Sequence, residues 1–562
     1  MRFLCCLVPL LLVCSGFSQN SVPHFRDIAA SAGLVNTQHS SIEKRYILES
    51  MSGGVALFDC DNDGKLDIAV VNDSSVERYR QGGDLMVTLY HQEPGLKFSD
   101  VTKSAGLDRK GWGMGLAVAD FDNDGILDLY VTGFGGNVLY RGLGGCKFED
   151  VTERAGVAVG GFSTGAAWGD YDRDGLVDLF VARYVHLDIN KLPEFGTNDK
   201  FCRYKGILVQ CGPWGLEGET DVLFHNLGNG RFEEVSKKAG VNDPDKHYGL
   251  GAIWGDYDND GWPDLFVAND AGPNYLYHNQ HDGTFKEVGL LSGVALSSEG
   301  QELGSMGVDW GDIDRDGRLD LIVTNFADQT NNLYRNAGAE GFSDIWPTKI
   351  GQAGYPLVGW GTGLVDFDND GLLDIFVANG HVYPQVDAIP HGIGYRQPML
   401  LFRNNGDGRF QDIAPAAGLD QVPLASRRGA AFGDVNNDGM IDILVFNVGQ
   451  APSLFLQESK NGNHTVLFKL IGTKSNRAAI GARIRVRTGS VAQMQEVRGG
   501  ASYLSQNDLR LHFGLGTTQT MDAVEIFWPS GKTEVLRNVA ADAIYTVTEG
   551  QGITAKAAFS AP

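Results

Sequence analysis

The chain has 562 residues, a formal charge of −24, seven cysteines and 75 glycines. That length suffices for more than one domain; no basic patch points to a nucleic-acid binder, and glycines without a three-residue period exclude a collagen-like rod. The charge is also concentrated, because a nine-residue pattern that occurs seven times holds 27 aspartates, without which the balance would be +3.

At the amino terminus, Met1 and Arg2 precede an apolar run from Phe3 to Val13, then Cys14, Ser15, Gly16, Phe17 and Ser18, which reads as a secretory signal over residues 1–18. A lipoprotein anchor at Cys14 is the rival reading, against which Val13 stands where such an anchor usually needs a small residue. No other stretch has the length and apolarity of a membrane span. The chain is therefore expected to be secreted, periplasmic or extracellular, where disulfides form. Cys202 and Cys211 lie nine residues apart in one insertion and are expected to pair, while Cys60 and Cys146 are left open.

The repeated pattern is DxDxDGxxD. Its aspartates are Asp59, Asp61, Asp63 and Asp67; Asp120, Asp122, Asp124 and Asp128; Asp170, Asp172, Asp174 and Asp178; Asp256, Asp258, Asp260 and Asp264; Asp312, Asp314, Asp316 and Asp320; Asp366, Asp368, Asp370 and Asp374; and, with one amide, Asp434, Asn436, Asp438 and Asp442. Ca²⁺ takes six to eight hard oxygen ligands, and alternate side chains of a tight loop supply them, with glycine at position six making the turn. An EF-hand needs a Glu at position twelve and flanking helices, whereas these loops close at position nine and run into apolar strands such as Leu265, Phe266 and Val267. Four carboxylates in one loop repel strongly unless a cation is present. The expectation is up to seven structural Ca²⁺ ions, with Asn259 at position four pointing away from the ligand set.

A glycine stands five residues before each first aspartate (Gly54, Gly115, Gly165, Gly251, Gly307, Gly361 and Gly429). After the loop come a second strand, a third such as Tyr275 to His278, and a fourth such as Phe285 to Val288, often with Asn-x-Gly between the last two as a turn signal. Loop starts are spaced by 61, 50, 86, 56, 54 and 68 residues, so the unit is four short strands in about 50 residues, the size of a propeller blade. Residues 24–29 match a fourth strand with no unit before them, and the seventh unit lacks one. The fold expected is all-β, a seven-bladed β-propeller over 22–457 with 24–29 closing blade seven, followed by a small antiparallel β domain.

These repeats, with Phe98 to Thr102 and Phe148 to Thr152 after the loops, resemble the FG-GAP or VCBS repeats of integrin-α-like propellers. The resemblance implies calcium between the first two strands of each blade. Residues 463–549 lack the loop and carry Arg498-Gly499-Gly500-Ala501-Ser502-Tyr503-Leu504-Ser505-Gln506, His512-Phe513-Gly514-Leu515-Gly516 and alternating strands such as Arg483 to Arg487. This segment resembles the ASPIC/UnbV domain found behind propellers of the cartilage acidic protein family and its bacterial relatives, for which no agreed reaction follows. Residues 550–562 read as a disordered tail.

All loops joining first and second strands share one propeller face. The other face carries the long connections, Asn72 to Thr88, Ala182 to Asp221 and Ala378 to Pro398, and long loops on a rigid scaffold are where binding evolves. The candidate ligand residues there are Arg183, Tyr184, His186, Asn269, Asp270, Asn325, Asn379, His381, Tyr383, Arg427 and Arg428. Each has a plainer reading: the Asn residues as turn formers, and Arg427 and Arg428 as partners of Glu49 or Glu302. No Ser/His/Asp order, phosphate loop or dinucleotide fingerprint is present, and no catalytic residue is assigned. The expected function is a binding or adhesion module for an extracellular protein or glycan. The alternative is a lyase-like polysaccharide-active enzyme using His186, His381 and Arg427 at the same face. Oligomeric state is left open.

Overall fold

The computed structural model describes residues 22–196, 201–390 and 392–560, so the expected signal segment and Cys14 lie outside the described residues. Among those described, no helix is long and apolar enough to cross a membrane. The architecture is all-β. Seven sheets, one per loop, each contain four strands in meander order, two of them with a short fifth strand attached. Unit four is representative: Gly249–Gly255, Asp264–Gly272, Tyr275–Asn279 and Phe285–Glu287 pair antiparallel in sequence. Every second strand starts at a position-nine aspartate, from Asp67 to Asp442. The amino-terminal strand Phe25–Asp27 pairs antiparallel with Ser453–Gln457, Arg26 opposite Leu456, and so supplies the seventh sheet's fourth strand.

The first strands meet in a ring, each touching the next and the seventh touching the first. The recurrent glycine has its cause here. A Cβ on Gly54 would lie 2.7 Å from the Cα of Gly115, and one on Gly115 would lie 2.8 Å from the carbonyl of Thr164. Gly251, Gly307 and Gly361 likewise abut the backbones of Met306, Trp360 and Arg428, and Gly429 abuts Gly53. Only glycine permits that approach. One-turn helices such as Thr102–Ala105 and Ser236–Ala239 follow the fourth strands, each ended by a left-handed glycine, a feature the strand reading missed.

The carboxy-terminal domain is two four-stranded sheets packed face to face. Two expectations need correction. The domain is not purely antiparallel: His464–Ile471 and Ala543–Thr548 run parallel, which strands far apart in sequence can do. Nor do residues 552–558 belong to a disordered tail, because Gly552–Ala558 forms an edge strand antiparallel to Ala543–Thr548. Its side chains are mostly exposed, so its composition resembled a solvated terminus while its backbone satisfied the sheet.

The domain does not merely follow the ring; it enters it. Residues 498–508 run along the axis and hydrogen-bond the first strands of six units. Leu57 N–H donates to Gln506 O, Leu116 N–H to Leu504 O and Trp168 N–H to Gly499 O, while Ser502 and Val308 exchange both backbone bonds. Thr362 N–H donates to Ser502 Oγ at 3.0 Å and Phe432 N–H to Asn507 Oδ1 at 3.1 Å. Inner strands at a propeller axis present an unpaired edge, and this segment pairs it. Its tip, Tyr503, is fully buried, donates to Met51 O at 2.8 Å and packs edge-on against Trp360.

Candidate metal loops and the opposite cavity

Each loop is folded by its own carboxylates. In unit four, Asp256 Oδ1 and Oδ2 accept the N–H groups of Asp260 (3.0 Å) and Gly261 (2.9 Å), and Asp260 Oδ1 accepts that of Trp262 (2.8 Å). The position-nine carboxylate ties the loop to the sheet: Asp264 Oδ2 accepts the N–H of Tyr257 and Oδ1 that of Asn279 in the third strand. All seven position-nine aspartates are buried. Position four is left-handed in every loop, with φ between 57° and 63°.

The carboxylates converge. Oxygens of Asp59, Asp61 and Asp63 lie within 4.8 Å of one another, as do those of Asp120, Asp122 and Asp128. Asp170 Oδ1 is buried without a hydrogen-bond partner. Burial first, and neighbouring carboxylates after it, push Asp120 and Asp312 up to about 7 and Asp170 up to about 8. Hard, crowded, proton-hungry oxygens of this kind fit a divalent cation such as Ca²⁺.

Three sets of residues around the loops escaped the sequence reading. The first is a basic group on the third strand over the loop: Arg141 to Asp122, Arg335 to Asp314, Arg403 to Asp368, His225 to Asp178, His278 to Asp264 and His91 to Asp67, all within 3.1 Å. Aligning the third strands would have revealed it, since each follows an aromatic residue. The second is position four. Asn259 points away from its own ligand set, but its Nδ2 donates to Gly317 O of the next loop at 3.0 Å. Asn62, Asn123, Arg315, Asn369 and Asn437 do the same to Gly125, Gly175, Gly371, Gly439 and Gly64. Arg173 is the exception and donates to Pro529 O of the carboxy-terminal domain.

The third set is the Asn or Gln that ends the third strand. Asn279 Nδ2 bridges Pro263 O of its own loop and Tyr171 O of the preceding one, and Gln92, Asn226, Asn336 and Asn404 make the equivalent pair of bonds. Unit two has Gly142 there, where a Cβ would run into Leu127 O. At that junction alone a disulfide, Cys60–Cys146, joins loop one to unit two. Cys202–Cys211 also forms, as expected.

The carboxy-terminal domain caps this loop face. Arg483 pairs with Glu496 (2.7 Å) and Asp256 (3.1 Å) and donates to Asn259 Oδ1. Arg510 pairs with Asp508 and donates to Asn437 Oδ1 and Asp434 O.

The opposite face holds a cavity of about 580 Å³. The insertion closed by Cys202–Cys211 lines it through Gln210 to Trp214, and a short strand, Leu303–Gly304, lines it beside Asp270, with which Gly304 pairs. Of the eleven expected ligand residues, only Tyr184, Asp270 and Tyr383 line it. The expectation for the others needs correction. Asn269, Asn325 and Asn379 are buried turn formers bonded to Pro273, Thr330 and Pro398 carbonyls. Arg427 donates to Gln397 O and Pro423 O, and Arg428 to Ser50 O while lying 4.0 Å over Trp360, so neither pairs with Glu49 or Glu302. His381 is buried, its Nδ1 accepting Tyr383 N–H, and burial, then Arg428, lowers it to about 3. Arg183 pairs with Glu219, beside which His186 stands 67% exposed. These groups do not converge on one cleft, because the repeat directs its strand-end residues into packing.

Comparison with known proteins places this architecture. The ASPIC and UnbV family matches residues 472–554. The FG-GAP-like repeat family matches 59–131, 120–181, 214–267, 256–323, 312–377 and 391–445, more than half the chain. Cartilage acidic protein 1 of Homo sapiens is 30% identical over 341 residues, covering 59% of this chain and 48% of that protein. The Mus musculus protein is 26% identical over 556 residues, covering 97% and 79%. The chain thus spans about half of the human relative's length. Among solved structures, an Agrocybe aegerita lectin recognising terminal N-acetylglucosamine gives a TM-score of 0.37 at 17% identity, covering 64% of this chain and 79% of that one. BBS1N in complex with ARL6DN gives 0.38 at 9%, covering 76% and 98%. Such scores add nothing to the strand topology above. The chain belongs to the FG-GAP-like repeat family, in the group that carries a carboxy-terminal ASPIC and UnbV domain and is related to cartilage acidic protein 1.

Proposed function

We propose that the chain is a secreted, calcium-stabilised seven-bladed propeller that acts as a binding module for an extracellular protein or glycan, on the face opposite its loops. The observation that carries the calcium reading is the convergence of carboxylate oxygens in repeated loops, with Asp170 Oδ1 buried and unpartnered. Positions one, three, five and nine would hold up to seven ions, with Asn436 replacing one carboxylate. An ion that binds only the folded loop stabilises it by mass action. The binding reading is supported by the cavity of about 580 Å³ among the insertions, a concave, irregular surface on the face that the carboxy-terminal domain does not cap. The test is a thermal melt in calcium and in excess chelator, with an array of glycans and secreted proteins probed on the same preparation. Chelation is expected to lower the melting temperature by more than about 10 °C and to abolish array binding. An unchanged melt would refute the calcium role; turnover of a bound polysaccharide would make the chain an enzyme.

A further inference from the structure

We infer that the cavity on the open face binds an organic cation, a primary alkylammonium group, against Asp270. The inference rests on reading that face as the binding face and names the chemistry it selects.

The cavity is walled by apolar and aromatic side chains, among them Tyr184, Trp214, Phe326 and Trp360, and about 580 Å³ suits a small ligand. Among the described residues, its charged lining is Asp270 and Glu302, with no Lys, Arg or His. Asp270 lies at the end of a second strand, where Gly304 pairs with it. Its Oδ2 accepts the Tyr184 hydroxyl at 2.5 Å, a neutral donor, and it has no ion pair among the described residues. It is half-buried, and a carboxylate partly withdrawn from water without a counter-charge is costly. An anionic ligand would be repelled by Asp270 and Glu302, and a neutral apolar one would desolvate the carboxylate further. A cation with an apolar stem satisfies the carboxylate and gains from the aromatic faces. Trp214 stands 63% exposed at the mouth and offers an aromatic face to a bound cation. The cavity is also built by insertions that depart from the repeat, one of them held by Cys202–Cys211.

The test is calorimetric titration of the calcium-loaded full chain with n-hexylammonium, hexanol and hexanoate, and with a short peptide carrying one lysine, on wild type, D270N and W214A, each checked by thermal melt. Hexylammonium or the lysine peptide is expected to bind at least about tenfold more tightly than hexanol or hexanoate, with the preference lost in D270N. Tighter binding of the peptide assigns the cation to a partner chain's lysine, and tighter hexylammonium to a free amine. Equal binding of hexanol and hexylammonium overturns the cation assignment, and that wild-type comparison stands even if D270N does not fold. A neutral glycan whose binding falls in W214A but not in D270N also overturns it while keeping the face. If no probe binds and W214A changes no interaction on the glycan and secreted-protein array, both the cation and the binding face fall.

Discussion

The two faces of the ring are built on opposite principles. On the loop face the same contacts recur unit after unit: position-four side chains link successive loops, third-strand amides bridge them, and the carboxy-terminal domain covers them with Arg483 and Arg510. On the other face little repeats, and the cavity is made from two insertions of different length. Repetition of a polar group therefore marks structural work here, while departure from the repeat marks the place where one ligand can be distinguished from another.

The comparison breaks most visibly at the loops. A carboxyl held above its unfolded value near 4 takes up its proton more readily in the folded chain. Its contribution is complete below about 4 and is lost as pH rises through about 7 for Asp120 and Asp312, or about 8 for Asp170. The metal-free chain should thus melt well above its pH 8 value at pH 5. With calcium the order should reverse, because protons compete for the ligands. Melts at both pH values, with and without chelator, decide it; a metal-free melt independent of pH would show that the buried carboxyls do not govern this face.

The disulfides sharpen the contrast. Cys60–Cys146 closes 86 residues of chain, and its replacement by serines should cost about 4–5 kcal/mol on the chain-entropy account. Cys202–Cys211 closes nine, so its loss should cost only about 2.5 kcal/mol and should weaken ligand binding more than the fold. Urea titration of each double variant measures both, and equal costs would contradict the division of roles.

Arg510→Met removes a buried cation that pairs with Asp508 and serves loop seven, and should cost about 3 kcal/mol, read as earlier release of the carboxy-terminal domain in limited proteolysis. Unchanged proteolysis would mean that the axial segment alone holds the domain. Smallest is Asn259→Ser, which loses two hydrogen bonds, one to Gly317 O of the next loop and one from Arg483, together worth about 2 kcal/mol with or without calcium. Asp258→Ala should cost more, but only in calcium. Equal effects in chelator and calcium would place Asp258 outside the ligand set.

Much of this was legible in the chain. Seven copies of DxDxDGxxD set the loop register, the recurrent glycine announced a crowded inner strand, and residues 24–29 were recognisable as a fourth strand without a unit of its own. The candidate ligand set was poorly legible. Asn269, Asn325 and Asn379 occupy equivalent positions because the turn needs them, and Arg428 is drawn inward by carbonyls and Trp360 rather than outward by a ligand. Asn279 announced a turn but concealed its bridge to the preceding loop, because its partners are backbone carbonyls that leave no trace in sequence.

What the chain determined by itself is therefore local: strand alternation and the carboxylate loops, each a consequence of side chains acting within about ten residues, while the recurrent glycines marked the inner strands although the backbones they admit belong to the next unit. The tertiary structure alone decided that residues 498–508 fill the axis, that the second domain caps the loop face, and that Asp270 shares a cavity with Trp214. Those contacts join segments as far apart as Leu57 and Gln506 largely through backbone N–H and C=O groups, which every residue type except proline carries alike.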